Sequence, residues 1–168
     1  MIEESISGVC APYGLEYWLE KDRAHEFPHE LWKALGENGW LGTTIPEQYG
    51  GQGMSFLDTV FVVEAACRAG GGSTLSQLFM ATPVFGGETI RKHGTEELRT
   101  MLLPGIASGQ IDFCMALTEP DAGSDTFATA TTAHLNGDGY VINGQKVWIS
   151  AVPEADFILT IARSTPRV

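Results

Sequence analysis

Phe113-Cys114-Met115-Ala116-Leu117-Thr118-Glu119-Pro120-Asp121-Ala122-Gly123-Ser124-Asp125 is the stretch on which the fold turns. A short apolar run predicts a strand over 111–118, and Pro, Asp, Gly and Ser then predict a turn. The glycine and serine of such a turn expose backbone N–H groups and hydroxyls, which suit an anion or the polar edge of a cofactor. The same composition also serves an ordinary strand-to-loop turn, so the residues alone leave both readings open.

Beyond this stretch the pattern is that of strands. Thr129 to Leu135 is rich in Thr, Asn136-Gly137-Asp138-Gly139 is a hairpin signal, and Asn143-Gly144 is a second. Tyr140 to Ile142 and Gln145 to Ser150 are expected as strands around that second turn, with one more from Phe157 to Ala162. The sheet is short of strands and leaves open edges.

Before it, the signals are helical. Leu15, Trp18 and Leu19 predict one buried stripe on a helix over 13–22. Pro28 suits the start of a second helix carrying Leu31, Trp32 and Leu35, which Gly39 ends. Residues 42–54 hold Pro46 and four glycines and read as a loop. Ser55 predicts an N-cap with Asp58 in the first turn, and Phe56, Val60, Val63 and Cys67 are taken as the inward face that follows. Gly70 to Gly72 breaks the chain, and Ser73 can cap the next helix. A short helix over 83–93 follows, then one capped by Thr95. The expected organisation is α+β: an all-helical domain over residues 1–110, then an incomplete antiparallel β domain over residues 111–168.

Composition excludes several classes. The chain has 168 residues, 43% hydrophobic and 18% charged, which is globular rather than disordered. Ten basic against 21 acidic side chains give a net charge of -11, which repels nucleic-acid phosphates and anionic lipid at long range. Cys10, Cys67 and Cys114 are odd in number and lack C-x-x-C spacing, as expected in a reducing compartment. No run reaches the roughly 18 apolar residues of a membrane span. The acidic N-terminus is unlike a secretory signal, so a cytoplasmic protein is expected.

Three motifs fail on inspection. His25-Glu26-Phe27-Pro28-His29 matches H-E-x-x-H, but Pro28 clashes inside the unbroken helix that zinc chemistry needs, so no metal site is expected. Tyr49-Gly50-Gly51-Gln52-Gly53 and Gly70-Gly71-Gly72-Ser73 lack the spacing of dinucleotide or phosphate loops.

Ala116-Leu117-Thr118-Glu119-Pro120-Asp121-Ala122-Gly123-Ser124-Asp125-Thr126 resembles the first signature segment of the acyl-CoA dehydrogenase family. Tyr140-Val141-Ile142-Asn143-Gly144-Gln145-Lys146-Val147-Trp148-Ile149-Ser150 resembles the second. Gly39-Trp40-Leu41-Gly42 with Ile45-Pro46-Glu47-Gln48-Tyr49-Gly50-Gly51 is similar to that family's N-terminal helical domain. Together these segments cover nearly the whole chain in the family's order.

The resemblance implies FAD as cofactor, contacted by the strand and turn from Met115 to Ser124. Leu117 and Thr118 would meet the pyrimidine side of the flavin, and Gly123 and Ser124 the pyrophosphate, with Ser124 also near the acyl-thioester substrate. Trp148 would pack against the isoalloxazine ring, followed by Ile149, and Ser150 would bond flavin N5. It further implies α,β-dehydrogenation of an acyl thioester of CoA or a carrier protein within fatty acid metabolism. Electrons would pass to an electron-transfer flavoprotein, and a homo- or hetero-oligomer is expected. Asp121 departs from the small residue common at its position and is expected to face solvent.

Family members are far longer and end in a helical bundle that provides the catalytic glutamate. No Glu or Asp here matches that base, so no catalytic residue is assigned. The chain is expected to be the N-terminal and partial middle part of such an enzyme. The alternative is a non-catalytic subunit, or half of a split flavoprotein, that binds a partner dehydrogenase chain. Purified alone, the chain is expected to turn over acyl-CoA poorly or not at all; robust dye reduction would contradict the missing base.

Overall fold

The computed structural model describes residues 2–165, and contacts divide the chain into two units, residues 1–112 and 113–168. The first is helical: α1 (Ile2–Cys10), α2 (Leu15–Ala24), α3 (His29–Glu37), α4 (Phe56–Ala66), α5 (Gly72–Phe79), α6 (Glu88–His93) and α7 (Glu96–Ser108). Its core gathers Leu31, Trp32 and Leu35 of α3 with Ile6, Val62, Leu75 and Phe79, all nearly solvent-free. Trp32 packs edge-on to Phe79 at 5.7 Å, and its indole N–H donates to Asp112 Oδ1 at 2.9 Å. Burying an aromatic with its polar tip partnered is how a large side chain anchors a core. Gly36 is required where α3 meets α7, because a Cβ there would run into the Ser108 carbonyl.

Local signals mark several helix ends. Ser55 and Asp58 form a complete capping box, with the Ser55 hydroxyl accepting from the Asp58 amide and the Asp58 carboxylate accepting from the Ser55 amide. Thr95 caps α7 by accepting from the Leu98 amide at 3.4 Å. Pro28 is the N-cap residue of α3.

Which faces are buried differs from the periodicity. Phe56 and Val60 are 51% and 48% exposed, and Thr59, Val62, Ala65 and Ala66 turn inward instead. Helix α4 carries apolar residues on most of its circumference, so spacing does not choose its buried face; α1 packs against it. Of the stripe expected on α2, Leu15 and Leu19 are exposed, at 74% and 42%, and Trp18 packs inward. Tyr17 and Trp18 are the residues of α2 that pack on the core. Its polar side is tied to α3, where Glu30 accepts from Tyr17 at 2.9 Å and from Lys21 at 3.1 Å. The helix expected over 83–93 is α6 preceded by a wide π-type turn, Met80–Gly87, which accommodates Pro83.

The second unit holds two strand pairs. The strands β2 (Thr132–Asn136) and β3 (Gly139–Asn143) form an antiparallel hairpin in the register Thr132 to Asn143 through Asn136 to Gly139. Gly137 turns it with a φ of +61°. By contrast, β1 (Phe113–Ala116) and β4 (Phe157–Thr160) pair parallel, which local turn signals do not report. Arg163 laces the hairpin to the preceding loop: its backbone bonds Thr131 and Ala133, and its guanidinium donates to the carbonyls of Thr129 and Phe127. The stretch expected as a strand over 145–150 is irregular, and Asn143-Gly144 does not turn a second hairpin. Trp148 has a φ of +60°, which no strand adopts.

Ser55→Ala is expected to destabilise the chain by about 1 kcal/mol, and Leu35→Ala by about 2–5 kcal/mol, in chemical denaturation. A larger loss from the cap than from the core would contradict this packing.

Candidate functional site

Within the second unit, the turn after β1 and the irregular stretch after β3 are joined by a buried ion pair. Lys146 Nζ lies 2.8 Å from Glu119 Oε1, with the two side chains 7% and 6% exposed. Lys146 also donates to the Leu117 carbonyl at 2.8 Å. The Glu119 carboxylate accepts from the amides of Ala130 at 2.7 Å and Thr131 at 3.0 Å. Between these contacts the Val147 amide donates to the Thr118 carbonyl at 2.9 Å. A buried charge pair is favourable only when its remaining donors and acceptors are met, and here most are. The Lys146 ammonium, with the Thr131 and Ala130 donors, holds the Glu119 carboxyl down at about 2.

This clamp decides where the expected site residues fall. Leu117 and Thr118 stand on one side of it, half-buried, with their carbonyls taken by Lys146 and Val147. Trp148 follows Val147 on the other side, and its left-handed backbone leaves the indole 89% exposed. An aromatic so exposed contributes nothing to a core and is available as a wall for a ligand. Ile149 is half-buried and Ser150 is exposed. Met115 lies half-buried in β1, paired with Leu159. Gly123 and Ser124 follow a turn closed by reciprocal bonds between Glu119 and Ala122 at 2.9 and 3.2 Å. Both are exposed, and a Cβ on Gly123 would meet open space, so the backbone there is accessible. Asp121 is exposed, as expected.

Sequence reasoning passed over Glu119 and Lys146 although both lie inside the quoted segments. The available signal was Lys146, the single charged residue of 140–150, and Glu119, the acid that follows most directly on the apolar run. Gly144 supports the same junction, since a Cβ at its φ of +156° would collide with Thr131. His25 and His29 lie on either side of the break between α2 and α3 rather than on one helix. No described helix is long and apolar enough to cross a membrane.

Glu119 has a depressed pKa, so its contribution is fully present above the ordinary value of 4.5 and is lost as pH falls through about 2. Glu119→Gln is expected to cost about 3 kcal/mol at pH 7, with the gap to the parent chain narrowing between pH 4.5 and 2 in denaturation by urea. A gap independent of pH would contradict the ion pair.

Residues 1–110 match the family profile of the acyl-CoA dehydrogenase N-terminal domain, and residues 114–167 that of the acyl-CoA dehydrogenase middle domain. An acyl-CoA dehydrogenase of Mycobacterium tuberculosis is 39% identical over 163 residues, covering 97% of this chain and 41% of that protein. The structure of a Bacillus anthracis acyl-CoA dehydrogenase complexed with FAD superposes with a TM-score of 0.84 at 36% identity, covering 98% of this chain and 28% of the other. A glutaryl-coenzyme A dehydrogenase in complex with glutaryl-CoA gives a TM-score of 0.89 at 33% identity, covering 96% and 41%. The chain thus spans about two-fifths of the length of the curated relatives it matches. With the helical unit, the β unit and both signature segments in the family's order, this chain belongs to the acyl-CoA dehydrogenase family and carries its N-terminal and middle domains.

Proposed function

We propose that this chain supplies one side of an FAD site in a protein that dehydrogenates acyl thioesters at the α,β position. The observation that carries the reading is Trp148, an indole 89% exposed beside a clamped, half-buried Thr118. A flavin has a flat apolar ring system with a polar edge, and this surface offers an aromatic plane next to a hydroxyl and backbone groups. The open backbone at Gly123 and the Ser124 hydroxyl suit the pyrophosphate. Met115, Leu117, Ile149 and Ser150 complete the proposed contacts, with Ser124 also reaching substrate.

Bound there, FAD supplies the two-electron acceptor to which the substrate's β-hydrogen passes as hydride. The chain's own part is to orient. Trp148 fixes the ring plane, Thr118 and Ser150 hold its polar edge, and the apolar residues exclude water. None of its carboxylates takes the role of base. Glu119, the buried carboxylate beside this surface, is engaged by Lys146 and two amides and sits at about 2, too weak to remove an α-proton near neutral pH. An acyl thioester of CoA or a carrier protein as substrate, an electron-transfer flavoprotein as acceptor, an oligomeric assembly, a role in fatty acid metabolism and a cytoplasmic location all belong to the same proposal. They rest on the family match.

Trp148→Ala is expected to weaken FAD retention by roughly tenfold or more, the scale of losing one large apolar contact. Unchanged FAD content in that variant would remove Trp148 from the site. Such a result, joined with binding of this chain to a partner dehydrogenase, would favour a non-catalytic subunit instead.

A further inference from the structure

We propose that Lys146 and Glu119 are positioning residues for the flavin surface, setting the spacing between Thr118 and Trp148. The inference rests on the flavin reading above, but its geometry is independent of it. Thr118 is flanked by two residues that Lys146 grips, the Leu117 carbonyl and the Glu119 carboxylate, both at 2.8 Å. Lys146 in turn lies two positions before Trp148, and the intervening Val147 amide bonds the Thr118 carbonyl at 2.9 Å. One ammonium therefore anchors both ends of a three-residue segment and the start of the other.

The stretch over 145–149 belongs to no strand, so it lacks a ladder to fix its register. The only link that ties it to the turn apart from the Lys146 bonds, among the backbone bonds of the described residues, is that single Val147 amide. Trp148 also holds a left-handed backbone, which a non-glycine residue keeps only when its surroundings enforce it. On the acidic side, Glu119 reaches two further amides, at Ala130 and Thr131, and so ties the pair to the segment leading into β2. The pair is neutral overall, so it acts through placement rather than by charging the flavin surface.

The test uses the full chain and two variants, Lys146→Met and Glu119→Gln, with Lys146→Arg as the conservative replacement. Amide hydrogen exchange is measured for Val147 and for the β2–β3 hairpin, and FAD affinity by titration of flavin fluorescence. The expected result is a loss of protection at Val147 larger than the loss in the hairpin amides, together with FAD affinity weakened at least tenfold and partly restored in Lys146→Arg. Retained Val147 protection, or FAD affinity equal to the parent's, overturns the proposal. Loss of protection at Val147 and throughout the hairpin alike also overturns it, since the pair would then be serving general stability. If the parent chain binds no FAD, the flavin reading fails on its own, and the exchange pattern still decides whether the pair positions Thr118 against Trp148.

Discussion

The junction between the turn after β1 and the irregular stretch after β3 depends on one interaction, the buried contact between the Lys146 ammonium and the Glu119 carboxylate at 2.8 Å. Burying two charges in a unit this small is unfavourable unless their other bonds are met. Here the Leu117 carbonyl and the Ala130 and Thr131 amides meet them. The result is a rigid junction between two stretches of chain that form no strand with one another. Trp148, exposed next to that junction, is presented by an irregular stretch rather than by a sheet face.

The helical unit follows a different economy. Its core is built from α3, with Trp32 partnered at its polar tip by Asp112 and Gly36 allowing α7 to approach. Several large apolar side chains remain outside that core, including Phe56, Leu57 and Phe61 of α4. Those side chains explain why periodicity does not pick out the buried face of α4, which is formed by Thr59, Val62, Ala65 and Ala66.

What was legible from sequence was mostly local chemistry. The Ser55–Asp58 capping box, the Thr95 cap, and the Gly137 turn are each decided by residues within a few positions, and each appears where those residues predict it. What was not legible depends on partners distant in the chain. The parallel pairing of β1 with β4 joins residues 44 apart, Phe113 with Phe157. Lys146 and Glu119 are 27 apart. The apolar run Val147-Trp148-Ile149 imitates a strand, yet the Lys146 contacts and the left-handed Trp148 backbone take it out of one. The family resemblance linked the two signature segments, which the structure brings together through Lys146 and Val147; periodicity alone gave no reason to set one beside the other.

The most direct measurement is the visible spectrum of the purified chain after incubation with excess FAD and removal of free cofactor by gel filtration. The account predicts a yellow protein whose flavin bands are shifted and resolved relative to free FAD, with the bound flavin's fluorescence quenched by the exposed indole of Trp148. A colourless protein, or one whose flavin keeps the spectrum and emission of the free cofactor, would contradict the claim that this clamped surface receives a flavin.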